Sequence, residues 1–244
     1  MARAFITLTK RGARRILPHS VRRLLRRALT AVPSRRSWKS RSVAKQHHAL
    51  VRAELEHPDD VAPFHAFVEL IDALLNDFEL PDPAQFLDFG CGAGHYSELL
   101  DRRFPGRFDY TGCDFSKKMV ETARRQWPNR RFVVNDLYRN RLDLSSFDVV
   151  FASALVDILA DYERALDILL DTNARYVILH RQRMTEGPGY AERTPGYKGQ
   201  RTFASYLSLD QLERVAARHS RSIAGSFVVA DDIWSFILPL TSAS

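Results

Sequence analysis

The sequence predicts an α/β fold, a doubly wound and mostly parallel sheet with helices on both faces. Three observations carry the prediction. From residue 84 onward, strand patterns alternate with helix patterns, which is how βαβ units read in sequence. The first of these strands runs directly into Gly90-Cys91-Gly92-Ala93-Gly94, after which a helix pattern starts. Two strand patterns close the chain in succession around Asp231-Asp232, too close for a helix between them, so they pair antiparallel or sit apart.

Taken in order, strands are expected at about 84–89, 108–113, 131–135, 147–153, 175–180, 222–229 and 233–239. Helices are expected near 95–104, 116–126, 161–173 and 208–219, with Ser116 and Ser208 as N-caps and Ser208 forming a capping box with Gln211. An earlier helix spans Pro63 to Phe78, because Phe64, Phe67, Val68, Ile71, Leu74 and Leu75 recur at helical spacing. Pro81-Asp82-Pro83 stops it and hands the chain to the first strand. Residues 181–206 read as a long connection, with Arg181, Arg183, Arg193, Lys198 and Arg201 set among Tyr190, Tyr197, Phe203 and Tyr206.

At 244 residues with 45% apolar content, the chain suits one sizeable domain plus an appendage. It holds no run of uncharged apolar residues long enough to span a bilayer. Cys91 and Cys113 are its two cysteines and form no C-x-x-C pair, and the histidines lack zinc-ligand spacing. That usage fits a reducing, cytoplasmic setting and no metal site.

The net charge of +7 is uneven. Residues 1–53 contain fifteen Lys or Arg and no acid, whereas residues 54–244 carry 21 basic and 29 acidic residues, a net of −8. The division expected is therefore a basic, partly helical arm over 1–53 and a catalytic domain over 54–244. Within the arm, Val21, Leu24, Leu25, Ala28 and Leu29 alternate with Arg22, Arg23, Arg26 and Arg27 between Pro18 and Pro33, a basic amphipathic helix. Four readings of the arm stay open. It could lie peripherally on an anionic membrane, contact nucleic-acid phosphates, act as a transit segment, or be a solvated tail. Few aromatics are interleaved in it (Phe5 and Trp38), which counts against an RNA-stacking surface.

The chemistry concentrates at the end of the first strand, Phe86-Leu87-Asp88-Phe89-Gly90-Cys91-Gly92-Ala93-Gly94-His95-Tyr96. Glycines there permit close approach of a ligand at the carboxyl edge of a sheet. Dinucleotide binders use G-x-G-x-x-G to present helix N–H groups to a pyrophosphate. Here the third glycine comes one residue early, and Asp88 precedes the first by two. A carboxylate at that place opposes a pyrophosphate and suits a ligand with an ammonium group and a sulfonium.

The stretch Leu87 to Gly94 resembles the first motif of the class I S-adenosylmethionine (SAM)-dependent methyltransferases. Three further segments resemble that family in order: Thr111-Gly112-Cys113-Asp114-Phe115-Ser116, Val134-Asn135-Asp136-Leu137, and Phe147-Asp148-Val149-Val150-Phe151-Ala152-Ser153. The likeness covers residues 84–180. It implies a seven-stranded Rossmann-like sheet of order 3-2-1-4-5-7-6 with the last strand antiparallel, and SAM as cofactor. It further implies that Gly90, Gly92 and Gly94 bracket the methionine part of SAM and that Asp114 accepts the ribose hydroxyls. Phe115 and Met119 would pack on the adenine and Asp136 would bind its edge. Asp88, Cys91, Tyr96, Ser116, Asn135, Leu137 and Ala152 fall in the same motifs and complete the expected cofactor site.

Two departures limit the carry-over. Leu155-Val156-Asp157-Ile158-Leu159 lacks the histidine that many small-molecule members carry after the fourth strand, and no N-P-P-Y or D-P-P-Y follows that strand. A proton acceptor therefore has to come from elsewhere, with His180 at the end of the fifth strand first and Asp157 second. Arg181, Tyr197 and Arg201 are the expected acceptor contacts. These residues point to a methyltransferase acting on a small polar acceptor, at oxygen, such as a glycan, lipid-linked or secondary-metabolite compound. An RNA or protein methyltransferase guided by the arm, and a non-catalytic SAM-fold adaptor, are the alternatives.

Overall fold

The computed structural model of the protein describes residues 39, 41–139, 142–195 and 201–241, without the side chains of Arg41, Ser42 and Arg201. The basic helix read around residues 21–29 lies outside them. Residues 34–244 form one compact unit.

Two helices precede the sheet, α1 (Arg41–Glu54) and α2 (Ala62–Asp77). The β1 strand (Ala84–Phe89) then leads through the glycine turn to α3 (His95–Arg103), β2 (Phe108–Asp114), α4 (Lys117–Gln126) and β3 (Arg131–Val134). After these come β4 (Val149–Ser153), α5 (Tyr162–Leu170) and β5 (Tyr176–Met184). A hairpin follows, β6 (Tyr190–Pro195) and β7 (Arg201–Leu207), then α6 (Leu209–Arg218), β8 (Gly225–Ala230) and β9 (Ile233–Pro239).

The parallel order β3-β2-β1-β4-β5 continues through β9, antiparallel to β5, to β8, antiparallel to β9. This is the predicted seven-strand topology, with the chain's last strand inserted next to β5.

Side chains alternate across the strands, so each strand feeds two cores. Leu87 and Phe89 of β1 join Val150 and Ala152 of β4 under α5 and α6, packing on Leu166, Leu169 and Val215. Ala84 and Phe86 join Tyr110, Val149 and Phe151 on the opposite face. There they meet Phe67, Leu70 and Leu74 of α2 and Leu99 of α3. Asp88 shares the parity of Phe86 and therefore lies on the α2–α3 side of the sheet.

The expected connection over 181–206 is corrected by the structure. β5 continues to Met184, and the hairpin pairs from Tyr190–Tyr206 to Pro195–Arg201, so the sheet has nine strands. The reason is an open edge. β4 stops opposite His180, and beyond that point β7 takes the vacated side of β5 through Arg183–Tyr206 and Met184–Leu207.

Of the predicted caps, Ser208 accepts the Gln211 N–H at 3.2 Å, while the Gln211 side chain turns to Glu163 instead of closing the box. Ser116 occupies the N-cap position of α4 without a side-chain cap bond.

Candidate active site

Gly90, Gly92 and Gly94 all have left-handed backbone, with φ of 84°, 55° and 82°. At Gly94 the need for glycine is steric as well, since a Cβ there would lie 2.6 Å from the Phe132 ring. This conformation turns successive N–H groups inward. Those of Gly90 and Cys91 donate to the Cys113 carbonyl at 2.8 and 2.9 Å, which locks the turn to the end of β2. The Gly92 N–H donates to Asp114 Oδ2 at 3.1 Å and the Ser116 N–H to Oδ1 at 2.7 Å.

Two acids stand side by side at this edge. Asp88 is buried and accepts the Tyr110 hydroxyl at 2.7 Å; burial outweighs that bond and pushes its carboxyl up to about 7. Burial likewise pushes Asp114 up to about 6, against the pull of the Ser116 and Gly92 N–H groups. Among the described residues neither acid has a cationic side chain at ion-pairing distance. A pair of buried, cation-free carboxyls beside a cradle of glycine N–H groups fits SAM, which brings an ammonium, a sulfonium and neighbouring hydroxyls.

The turn opens into a cavity of about 710 Å³. Asp88, Gly90, Cys91, Gly92 and Tyr96 line it from β1 and α3; Asp114, Phe115 and Met119 line it from β2 and α4; Asn135 and Leu137 line it from the end of β3. Four of the expected cofactor residues do not border it. Gly94 backs onto Phe132, Ser116 is buried at the start of α4, and Ala152 belongs to the core under α5. Asp136 accepts the Tyr138 N–H at 3.1 Å, which leaves Asn135 as the polar side chain bordering the cavity at this strand end.

The opposite wall comes from scattered parts of the chain. α1 supplies Gln46, His47 and Glu54, the start of α2 supplies Pro63 and Phe64, and the hairpin supplies Thr194, Thr202 and Phe203. Asp157, Arg181 and Arg183 complete it. Sequence reasoning missed His47, Thr194 and Thr202. The only trace of His47 was the His47-His48 pair within a helical stretch.

Arg181 has φ 61°, an uncommon conformation for a side-chain-bearing residue that costs on the order of 1–3 kcal/mol. It sits where the register of β5 against β9 shifts, between Leu179 and Gln182. Beside it the Tyr96 hydroxyl shares a 2.9 Å hydrogen bond with Ser153 Oγ. No described carboxylate reaches ion-pairing distance of Arg181. Arg183 instead pairs with Asp157 through Oδ2, while Asp157 Oδ1 is buried without a hydrogen-bond partner. Burial pushes Asp157 up to about 6 in spite of Arg183 and Arg181.

His180 is placed behind the wall and does not border the cavity. It shares the parity of Ile178 and faces α2, stacking on Phe151. Its Nε2 lies 3.0 Å from the Pro63 carbonyl, which can only accept, so Nε2 carries the proton and Nδ1 accepts from the Ser235 hydroxyl at 2.7 Å. Burial and Arg181 push it down to about 3. Both ring nitrogens are engaged, Nε2 holding α2 to the sheet and Nδ1 tying β5 to β9. Tyr197 lies outside the described residues, as does the side chain of Arg201, whose backbone opens β7. Among the described residues no metal-ligating cluster occurs, and no helix is long and apolar enough to cross a membrane.

The topology, the glycine turn and the paired acids are those expected of a class I, SAM-dependent methyltransferase domain. Residues 86–172 match the family model described as a methyltransferase domain. Over 93 residues the chain is 33% identical to the trans-aconitate 2-methyltransferase of Variovorax paradoxus, covering 38% of this chain and 36% of the relative. The chain thus spans about a third of the length of the curated relatives it matches.

The fold is shared more widely. A 1,6-didemethyltoxoflavin-N1-methyltransferase of Burkholderia thailandensis, with bound 1,6-didemethyltoxoflavin and S-adenosylhomocysteine, aligns with a TM-score of 0.58 at 16% identity, over 93% of this chain and 91% of that one. A SAM-bound amino pentose methyltransferase of Micromonospora echinaspora aligns with a TM-score of 0.57 at 18% identity, over 79% and 97%.

Proposed function

We propose that this chain transfers a methyl group from SAM to a small polar acceptor, at oxygen. One observation carries the reading: a single cavity is bordered by the two buried acids, from β1 and β2, and by Asp157 and Arg181, from the turn after β4 and from β5. Its volume of about 710 Å³ is in the range of small-molecule sites.

Bound SAM supplies a methyl group on a sulfonium, whose bonding electron pair leaves with a neutral sulfide, so no acid is needed on the leaving side. Asp88 would face the cationic part of the cofactor and Asp114 its ribose hydroxyls, with Phe115 and Met119 flanking the base and Asn135 at its edge. Much of the rate enhancement is positioning, which can supply on the order of 7–11 kcal/mol. An acceptor hydroxyl also has to lose its proton. Asp157 Oδ1 takes it, since this oxygen is without a partner and the carboxyl titrates near 6. His180 acts as a positioning residue, its lone pair already committed to Ser235.

The test is calorimetric titration of S-adenosylhomocysteine into wild type and Asp114→Ala. Micromolar binding that weakens at least about 100-fold in the variant is expected, since two charge-assisted hydrogen bonds are removed. A folded wild-type protein that binds none of the ligand would overturn the reading.

A further inference from the structure

The acceptor end of the cavity carries two polar groups of opposite kind that bonds within the described protein satisfy only in part. Arg181 is a cation without a carboxylate partner, held in left-handed backbone where β5 and β9 lose register. A guanidinium offers a planar fork of donors, matched to a carboxylate or a phosphate. It shares a hydrogen bond with the Tyr96 hydroxyl, itself bonded to Ser153, and the Glu54 carboxylate on the same cavity acts on it only from beyond ion-pairing distance.

Asp157 is the complement. It is 4% exposed, borders the cavity, and leaves Oδ1 with no donor. A buried carboxylate oxygen without a partner costs free energy that a ligand donor recovers. Arg183 fixes the other oxygen, so only one is left to read a ligand. Arg181 and Asp157 border the same cavity, so one small molecule can meet both.

Resting on the methyltransferase reading above, we propose that the acceptor is a hydroxylated organic anion. Its carboxylate or phosphate is held by Arg181, and a neighbouring hydroxyl donates to Asp157 Oδ1. The cavity walls also include Phe64 and Phe203, which favour a ring or a compact carbon skeleton. The requirement for both groups separates this class from simple acids, which leave Asp157 unsatisfied. It also excludes neutral alcohols, which leave Arg181 unsatisfied.

Matched compounds test it by titration into the wild-type protein saturated with S-adenosylhomocysteine. Each set holds a hydroxy acid, the acid without the hydroxyl and the alcohol without the acid: 2-hydroxybenzoate with benzoate and phenol, malate with succinate and 2-butanol, mandelate with phenylacetate and benzyl alcohol. 2-Hydroxyphenyl phosphate and glucose 6-phosphate distinguish a phosphate from a carboxylate. In at least one set the doubly functional compound is expected to bind about tenfold or more tightly than either partner. Arg181→Gln should abolish the advantage over the alcohol, and Asp157→Asn the advantage over the plain acid.

Absence of a tenfold gain in every set overturns the proposal, as does a gain that survives both substitutions. Binding of S-adenosylhomocysteine in the same samples reports folding of each variant. Where that binding is intact and the gain is missing, the acceptor class fails alone; where wild type does not bind it, the methyltransferase reading fails first. The wild-type comparison depends on neither variant.

Discussion

The two ends of the cavity are built by different means. The cofactor end is local: a strand, a glycine turn and a helix start, sealed to the neighbouring strand by backbone bonds from Gly90 and Cys91 to Cys113. The acceptor end is an assembly of a pre-sheet helix, a short turn at Val156–Ile158, an irregular stretch of β5 and a hairpin. Geometry at the first is set by glycine backbone. At the second it is set by side chains meeting across long sequence separations, such as Arg183 with Asp157. The cofactor end should therefore fail sharply when backbone is disturbed, and the acceptor end should change specificity when single side chains change.

The strongest way to break that comparison is Gly94→Ala. The new Cβ would adopt φ 82° and meet two atoms of the Phe132 ring at 2.6 and 2.7 Å. Left-handed strain and overpacking together cost about 2–5 kcal/mol, and binding of S-adenosylhomocysteine should be lost. Gly106→Ala is the control, because Gly106 has φ 77° but nothing within 4 Å of its Cβ position. It should cost about 1–2 kcal/mol in denaturant unfolding and leave ligand affinity unchanged. Equal costs for the two would mean that the turn can relax, against the rigid cradle described here.

A smaller effect separates the ends by pH. The Asp88 carboxyl is raised to about 7 in the free protein, and the ammonium group of the ligand prefers it ionised. Affinity for S-adenosylhomocysteine should be flat above pH 8 and fall through pH 7, approaching tenfold per unit below it, with Asp88→Asn removing the slope. Global stability reports this poorly, because two sets of groups oppose each other. Asp88, Asp114 and Asp157 have raised values, so their contribution is present below their ordinary range and is lost as pH rises toward 6 and 7. His47, His95 and His180 are pushed down by burial to about 4, 2 and 3. Their contribution is present above the ordinary histidine value and is lost as pH falls. A slope in ligand affinity that persisted in Asp88→Asn would move the effect to Asp114.

This division also explains what could be read from the chain alone. Spacing in one contiguous segment dictates the glycine turn, and the register that sets Asp88 opposite Gly112 follows from two adjacent parallel strands. The acceptor end has no such segment. An arginine in left-handed backbone leaves no mark in sequence, unlike a glycine. The hairpin was concealed by Arg193 and Glu192 within its strands, although Pro195-Gly196 was a legible turn signal. His180 was expected at the end of the fifth strand, whereas β5 runs on to Met184. Which partners would take up its ring nitrogens, Pro63 and Ser235, could not be read from spacing, because they lie 117 and 55 residues away.

The smallest effect expected tests the element that touches both ends. α1 rests on the domain through Val43 and Ala44 against Met119, through His48 stacked on His95, and through the Arg52–Glu98 pair at 2.8 Å. It brings His47 over the glycine turn, with Cε1 3.3 Å from where a Gly92 Cβ would stand, while Gln46 and Glu54 line the same cavity. Burial keeps His47 neutral at pH 7, so its contribution there is packing and polarity, not charge. His47→Ala should weaken S-adenosylhomocysteine by about three- to tenfold, chiefly through faster dissociation in a stopped-flow chase. A loss as large as that of Asp114→Ala would make α1 part of the cofactor cradle and erase the distinction between a local and an assembled end. No change would assign α1 wholly to the acceptor side. An intermediate loss, with the acceptor preference intact, is what a helix covering an already formed backbone cradle should produce.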